Sequence, residues 1–200
     1  MFVIGITGMM GSGKSEVSKI FKTQGAGVIG CDEIVHELYR KDKLLKAKVR
    51  KEFGNGIFKG NEINRKKLAE AVFEDAGKLR SLDSLVHPLA IKEAKKQLGK
   101  FRKRKGKLVV IDAPLLFEAG MDAMCDLVVY VECSFKEREN RMKKKGVSRN
   151  EILKREKFLL PEKEKGKLCD VVVYNGRGLD KAKKQVAALI VKLKGIGVYG

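Results

Sequence analysis

A three-layer α/β fold, with a five-stranded parallel sheet between helices, is predicted by three observations. Five short apolar runs recur along the 200-residue chain, at 1–6, 28–29, 108–111, 127–131 and 171–174. Amphipathic helical stretches separate them, which suits a parallel sheet covered on both faces. Between the first run and the first helix, residues 8–15 read Gly-Met-Met-Gly-Ser-Gly-Lys-Ser and fit G-x-x-x-x-G-K-[ST].

The elements follow in order. Residues 1–6 read as a buried strand, and 16–24 as a helix with Val17, Ile20 and Phe21 on one face. Gly25-Ala26-Gly27 turns the chain into a short strand at 28–29, after which a helix carries Val35, Leu38 and Tyr39. The pattern from 44 to 101 is almost wholly helical. Gly54-Asn55-Gly56 breaks it, and His87-Pro88 is expected to start a new helix, because proline suits a first helical turn. Strands at 108–111 and 127–131 come next. Basic helices at 135–145 and 148–158 lead to the last strand at 171–174, and an amphipathic helix at 179–193 closes the fold. No internal repeat or low-complexity linker is found. The expected division is a core of 1–31, 105–134 and 168–200, a helical insertion at 32–104, and a lid at 135–167.

Composition excludes several classes. Hydrophobic residues make up 44% of the chain, which is too many for a disordered one, and no apolar stretch approaches the roughly 20 residues of a membrane span. The first strand begins at the amino terminus, so no signal peptide is expected. Cys31, Cys125, Cys133 and Cys169 lie far apart without a C-x-x-C pair, which suits free thiols in a cytoplasmic protein. The net charge of +19 suits a polyanionic ligand, but the lysines are spread over nearly every helix. A Lys/Glu-rich solvated surface accounts for them, and a nucleic-acid partner is not expected because no aromatic platform accompanies the charge.

The motif at 8–15 carries the chemistry. A strand, a Gly-rich turn and a helix N-terminus form a phosphate cradle in which backbone N–H groups face the anion. Lys14 can reach the β- and γ-phosphates, and the Ser15 hydroxyl can coordinate Mg²⁺. The alternative is a plain Gly-rich turn. Ligands of such sheets sit beyond the carboxyl ends of the strands, where Asp32 and Asp112 also fall. With no Asn-Lys-x-Asp base-reading motif and too little chain for a motor, a small P-loop kinase fold with a substrate-binding insertion and a lid is expected.

Asp32 is a candidate general base, or else an N-cap. Asp112 is a candidate Mg²⁺ carboxylate, or else a turn-former before Pro114. Arg138 and Arg141 share a helix face that suits a lid reaching the transferring phosphate. The alternative is a solvated charged face, which also covers Arg149 and Arg155. His87 reads either as an acceptor contact or as a packed histidine at a helix start.

These residues resemble the dephospho-coenzyme A kinase family almost from end to end. Residues 4–15, with their Gly-Ser-Gly-Lys-Ser core, match its opening strand and P-loop. Val28-Ile29-Gly30-Cys31-Asp32 resembles its Asp-Ala-Asp segment, and Leu85-Val86-His87-Pro88 its His-Pro element. Asp112-Ala113-Pro114-Leu115-Leu116-Phe117-Glu118 is very similar to its Asp-x-Pro-Leu-Leu-Phe-Glu signature, and residues 169–176 to its closing strand.

The resemblance implies phosphorylation of the 3′-hydroxyl of dephospho-CoA by ATP with Mg²⁺. It implies Asp32 as base, with Lys14 and Arg141 also catalytic. Nucleotide contacts fall on Gly8, Gly11, Ser12, Gly13, Lys14, Ser15 and Glu16, metal contacts on Ser15 and Asp112, and acceptor contacts on His87, Leu115 and Glu118. A monomer or weak homo-oligomer is expected. Related readings are a nucleoside or nucleotide kinase, or an ATP-binding regulator of nucleic acid. Departures from the family are Gly30 and Cys31 for Asp-Ala, Glu16 for Thr, Ile91 near an Arg position, and Leu159 for Gln.

Overall fold

The computed structural model describes residues 1–176 and 178–198, which divide into two compact units, 1–30 with 96–200 and 31–95. The first unit contains the sheet. Its strands are β1 (Phe2–Thr7), β2 (Gly27–Gly30), β5 (Leu108–Asp112), β6 (Leu127–Glu132) and β7 (Val171–Tyr174), in the order β2-β5-β1-β6-β7 and all parallel. Here β3 (Phe58–Lys59) and β4 (Glu62–Ile63) are the two strands of a hairpin in the second unit. The first strand lies at the centre, and the chain leaves it toward β2 on one side and later toward β6 on the other. That reversal places the turn after β1 at the position where open sheets bind ligands.

Register aligns the strand ends. Ile6 lies opposite Asp112, and Asp112 opposite Gly30, so the segments that follow β1, β5 and β2 leave the sheet at one level. Alternation along the strands builds the core on one face. Ile4, Ile6, Leu108, Val110, Val129, Val131 and Val173 pack with Val17 and Phe21 of α1 (Lys14–Thr23) and with Val186, Ile190 and Leu193 of α9 (Leu179–Gly195).

Two aspartates pin the register. The Val3 N–H donates to Asp126 Oδ2 at 2.7 Å, and the Asp126 N–H donates back to the Val3 carbonyl at 2.8 Å. One strand over, Val128 and Asp170 repeat the exchange at 2.7 and 3.0 Å. Both aspartates lie in a Cys-Asp-(Leu/Val)-Val-Val-Tyr segment, at 125–130 and 169–174, so the chain does carry a short internal repeat.

The remaining helices of the first unit are α6 (Phe135–Lys143), α7 (Arg149–Glu156) and α8 (Glu162–Lys167). Ser134 and Ser148 cap α6 and α7 by accepting from the N–H groups of Glu137 and Glu151. The short α8 is not expected from the sequence, whose alternating Lys and Glu there show no apolar period.

The second unit contains α2 (Cys31–Lys41), α3 (Lys43–Phe53), the hairpin β3 (Phe58–Lys59) and β4 (Glu62–Ile63), α4 (Arg65–Val72) and most of α5 (Ala76–Lys103). Its own core gathers Leu45, Val49, Ile57, Ile63, Leu68, Val72, Leu82 and Val86. Two expectations are corrected here. A hairpin interrupts the helical stretch, turning at Gly60 with φ +61°. His87-Pro88 does not start a helix either, because Pro88 lies inside the 28-residue α5. Proline removes one backbone hydrogen bond, yet Leu82, Val86, Ala90 and Ala94 on either side are buried and keep the helix continuous. The boundary between the two compact units, at 95/96, falls inside α5.

Candidate active site

The turn after β1 departs from ordinary backbone at Gly8, Gly11 and Gly13, where φ is +155°, +76° and +91°. A side chain at Gly8 would meet the Val131 carbonyl oxygen at 2.6 Å, and one at Gly13 the Asn175 amide at 2.1 Å. Only glycine fits these positions. The Ser12 N–H closes the loop onto the Met9 carbonyl at 3.1 Å. Lys14, nine-tenths buried, folds back and donates to the carbonyls of Gly8 at 2.9 Å and Met9 at 3.3 Å. The buried Ser12 hydroxyl has no hydrogen-bond partner among the described residues, as expected of a group shaped to meet a ligand.

Ser15, in the first turn of α1, is exposed. One turn later, the buried Ser18 donates to Asp112 Oδ2 at 2.9 Å, which brings α1 against the end of β5. A hydroxyl and a carboxylate are hard oxygen donors. They suit Mg²⁺, which keeps several waters and substrate phosphates as its other ligands. Among the described residues no group of three or more His, Cys, Asp or Glu side chains converges on a metal site.

The segment after β5 is held by three donors. The Ala113 N–H reaches the Ile6 carbonyl at 3.0 Å, and the Pro114 carbonyl accepts from Thr7 Oγ1 at 3.2 Å and Lys165 Nζ at 2.9 Å. Lys165, fully buried, also pairs with Glu118 Oε1 at 2.9 Å, which accepts in addition from the Leu160 N–H. The Glu118 carboxylate binds the segment at 114–118 to α8, while Leu116 is buried and Leu115 half-buried.

The four arginines of the basic helices separate into two pairs. Arg149 and Arg155 make surface pairs with Glu139 and Glu151. Arg138 and Arg141 turn inward onto the loop at 8–15. Arg138 Nη1 donates to the Met10 carbonyl at 3.2 Å and to Glu156 Oε1 at 2.5 Å. Arg141 Nη1 donates to the carbonyls of Gly11 and Ser12 at 3.3 and 3.0 Å, and its Nη2 to those of Asn175 and Gly176 at 2.7 and 2.9 Å. The two arginines thus share the helix face that their spacing predicts, and that face meets the backbone of the loop.

Glu16 pairs on the surface with Lys19 at 2.7 Å, and as a first-turn acid it faces the positive end of α1. Met9 is buried in the fold. In the second unit, Asp32 is the second residue of α2 rather than its N-cap, and follows the last residue of β2 by two positions. His87 Nε2 lies 3.4 Å from Asp83 Oδ1, one turn back along α5.

Asn175, Ser18 and Lys165 take part in this arrangement without being singled out from sequence. Asn175 donates from Nδ2 to the Ser12 carbonyl at 2.9 Å, and its Oδ1 is buried without a partner among the described residues. Lys165 lies between Lys163 and Lys167, and nothing in that run marks the middle lysine as the buried one.

The chain matches the family model described as dephospho-CoA kinase over residues 2–181. It is 35% identical over 192 residues to the dephospho-CoA kinase of Aquifex aeolicus, covering 95% of this chain and 96% of the relative. A crystal structure from Thermus thermophilus superposes with a TM-score of 0.80 at 31% identity, covering 96% and 97% of the two chains. The dephospho-CoA kinase from Campylobacter jejuni shares the fold, with a TM-score of 0.68 at 22% identity and 96% and 98% coverage. The family match over residues 2–181 and the 35% identity to a relative covered almost end to end show that the chain, with its glycine loop at the centre of a five-stranded parallel sheet, belongs to the dephospho-CoA kinase family.

Proposed function

We infer that this protein transfers the γ-phosphoryl group of ATP to the 3′-hydroxyl of dephospho-CoA, giving coenzyme A and ADP, the last step of coenzyme A synthesis. The family match over residues 2–181 carries this reading. The glycine loop at 8–13 and Lys14 supply the phosphate site.

The bond between the β–γ bridging oxygen and the γ-phosphorus breaks as a bond from the ribose 3′-oxygen forms, and the hydroxyl proton passes to a base. Asp32 is that base, supported by its place two residues past β2. Lys14, leaving its carbonyl partners, faces the β- and γ-phosphates and neutralises their charge. Ser15 and Asp112 would hold Mg²⁺, which supplies charge neutralisation on the phosphate oxygens. Gly8, Gly11, Ser12 and Gly13 contact the phosphates. His87 and Leu115 belong to the acceptor site, and Glu118 positions Leu115 through its pair with Lys165.

The test is steady-state kinetics with ATP, Mg²⁺ and dephospho-CoA. Asp32→Asn is expected to lower kcat by about a hundredfold or more while leaving ATP affinity near wild type. Near-normal turnover in that variant would remove Asp32 from the mechanism. Lys14→Ala is expected to weaken ATP binding and turnover together.

A further inference from the structure

We propose that Arg138 and Arg141 form a clamp on the outer, carbonyl side of the phosphate loop and set its amides for the triphosphate. The proposal rests on the reading that residues 8–15 hold the triphosphate. The two arginines are three residues apart on α6 and so lie on one face. Between them they bind three successive carbonyls, those of Met10, Gly11 and Ser12.

Peptide planarity converts this contact into amide direction. No peptide bond is cis among the described residues, so each N–H points away from the carbonyl of the same peptide. Holding the Met10 and Ser12 carbonyls outward therefore turns the Gly11 and Gly13 N–H groups the other way, toward the hollow of the loop. The middle peptide differs, because its Ser12 N–H closes the turn onto Met9. Cationic donors on a carbonyl also polarise the amide across the peptide, which strengthens it toward an anion.

The clamp is itself fixed. Arg138 is 2% exposed, and its charge is met by Glu156 at 2.5 Å and by Glu162 at 3.5 Å, from α7 and α8. A buried arginine set between two carboxylates is held more firmly than a surface cation. Arg141 spends both ends of its fork, two carbonyls on the loop and two after β7, so the loop and the 175–176 segment are joined through one guanidinium. The packing leaves no slack. A side chain at Gly11 would meet the Arg138 carbonyl oxygen and Met142 Cγ, each at 2.9 Å. Arg138 and Arg141 act as positioning residues, through the backbone they hold.

The experiment titrates pyrophosphate and ADP into wild type, Arg141→Gln, Arg141→Lys and Arg138→Lys, well below each variant's Tm. Pyrophosphate lacks the base and has no group to transfer, so it reports the loop alone. The expected result is a loss of about tenfold in affinity for pyrophosphate and ADP alike in all three variants, with KM for ATP raised by a similar factor. Lysine keeps the charge and lacks the fork, so it must not restore binding. Wild-type pyrophosphate affinity in Arg141→Lys would reduce the clamp to a charge effect and overturn the proposal. Unchanged pyrophosphate affinity with a collapsed kcat would also overturn it, assigning Arg141 to the transferred group. A lowered Tm with unchanged affinity would overturn it by showing a merely structural role. Wild-type protein that bound neither probe would overturn the triphosphate reading itself, and the clamp with it.

Discussion

Gly13 shows how closely single residues are constrained. Its φ of +91° disfavours any side chain, and a Cβ there would meet Asn175 Nδ2 at 2.1 Å and Arg141 Nη1 at 3.2 Å. Gly13→Ala is therefore expected to abolish measurable nucleotide binding in a titration, through displacement of both Asn175 and Arg141. Three cysteines are constrained by partial or full burial. It pushes the Cys125 and Cys169 thiols up to about 12, with neighbouring aspartates adding to the effect, and it raises Cys133 as well. Thiolate is the reactive form. Alkylation of Cys125 and Cys169 at pH 7.5 is expected to be slower than in the denatured chain by about a hundredfold or more, with Cys133 slowed as well, and labelling as fast as in the denatured chain would contradict the raised thiols. Residue identity at the loop was legible in the sequence because phosphate cradles require glycines in fixed places. The partners of Arg141 were not, since its spacing from Arg138 gives a shared face but not what that face meets.

Among the elements, the segment at 114–118 and α8 depend on one buried ion pair. Removing one partner leaves the other charge largely buried and unpaired, whereas replacing both with apolar groups does not. Lys165→Met is expected to destabilise the protein by about 3–5 kcal/mol in denaturant unfolding. Adding Glu118→Leu should recover most of that loss, and no recovery would show that the lysine's bond to the Pro114 carbonyl dominates. Strand positions were legible from continuous apolar runs, because strands buried on both faces must be apolar throughout. The hairpin at β3 and β4 was hidden by its length of two residues per strand. Pro88 misled because a local preference for first turns was outweighed by the apolar face of α5, which runs on from Leu82 through Ala94.

At the scale of the whole molecule, each unit carries its own core, and the charge of +19 is distributed over both. Arg149, Arg155, Lys19 and Lys167 all engage neighbouring carboxylates on the surface, which fits a solvated charged exterior. Surface pairs of this kind contribute little stability each. Alkaline stability has a more specific source. Burial pushes the Tyr39 phenol up to about 12, above its ordinary value of 10. The folded state therefore favours the protonated phenol, so its contribution is fully present below about pH 10 and is lost as pH rises through 12. Tyr39→Phe is expected to flatten the fall in urea midpoint between pH 10 and 12. An unchanged slope would show that other groups govern alkaline unfolding.

The nucleotide half of the function was legible because one short motif encodes it. The acceptor half came from resemblance, since helices that bind a large organic group carry no comparable spacing rule. The most direct measurement is ADP release from ATP and Mg²⁺ with dephospho-CoA, adenosine or AMP as acceptor. ADP is expected only with dephospho-CoA, matched by an equal amount of coenzyme A. Turnover with adenosine or AMP in its place, or none with dephospho-CoA, would contradict the assignment.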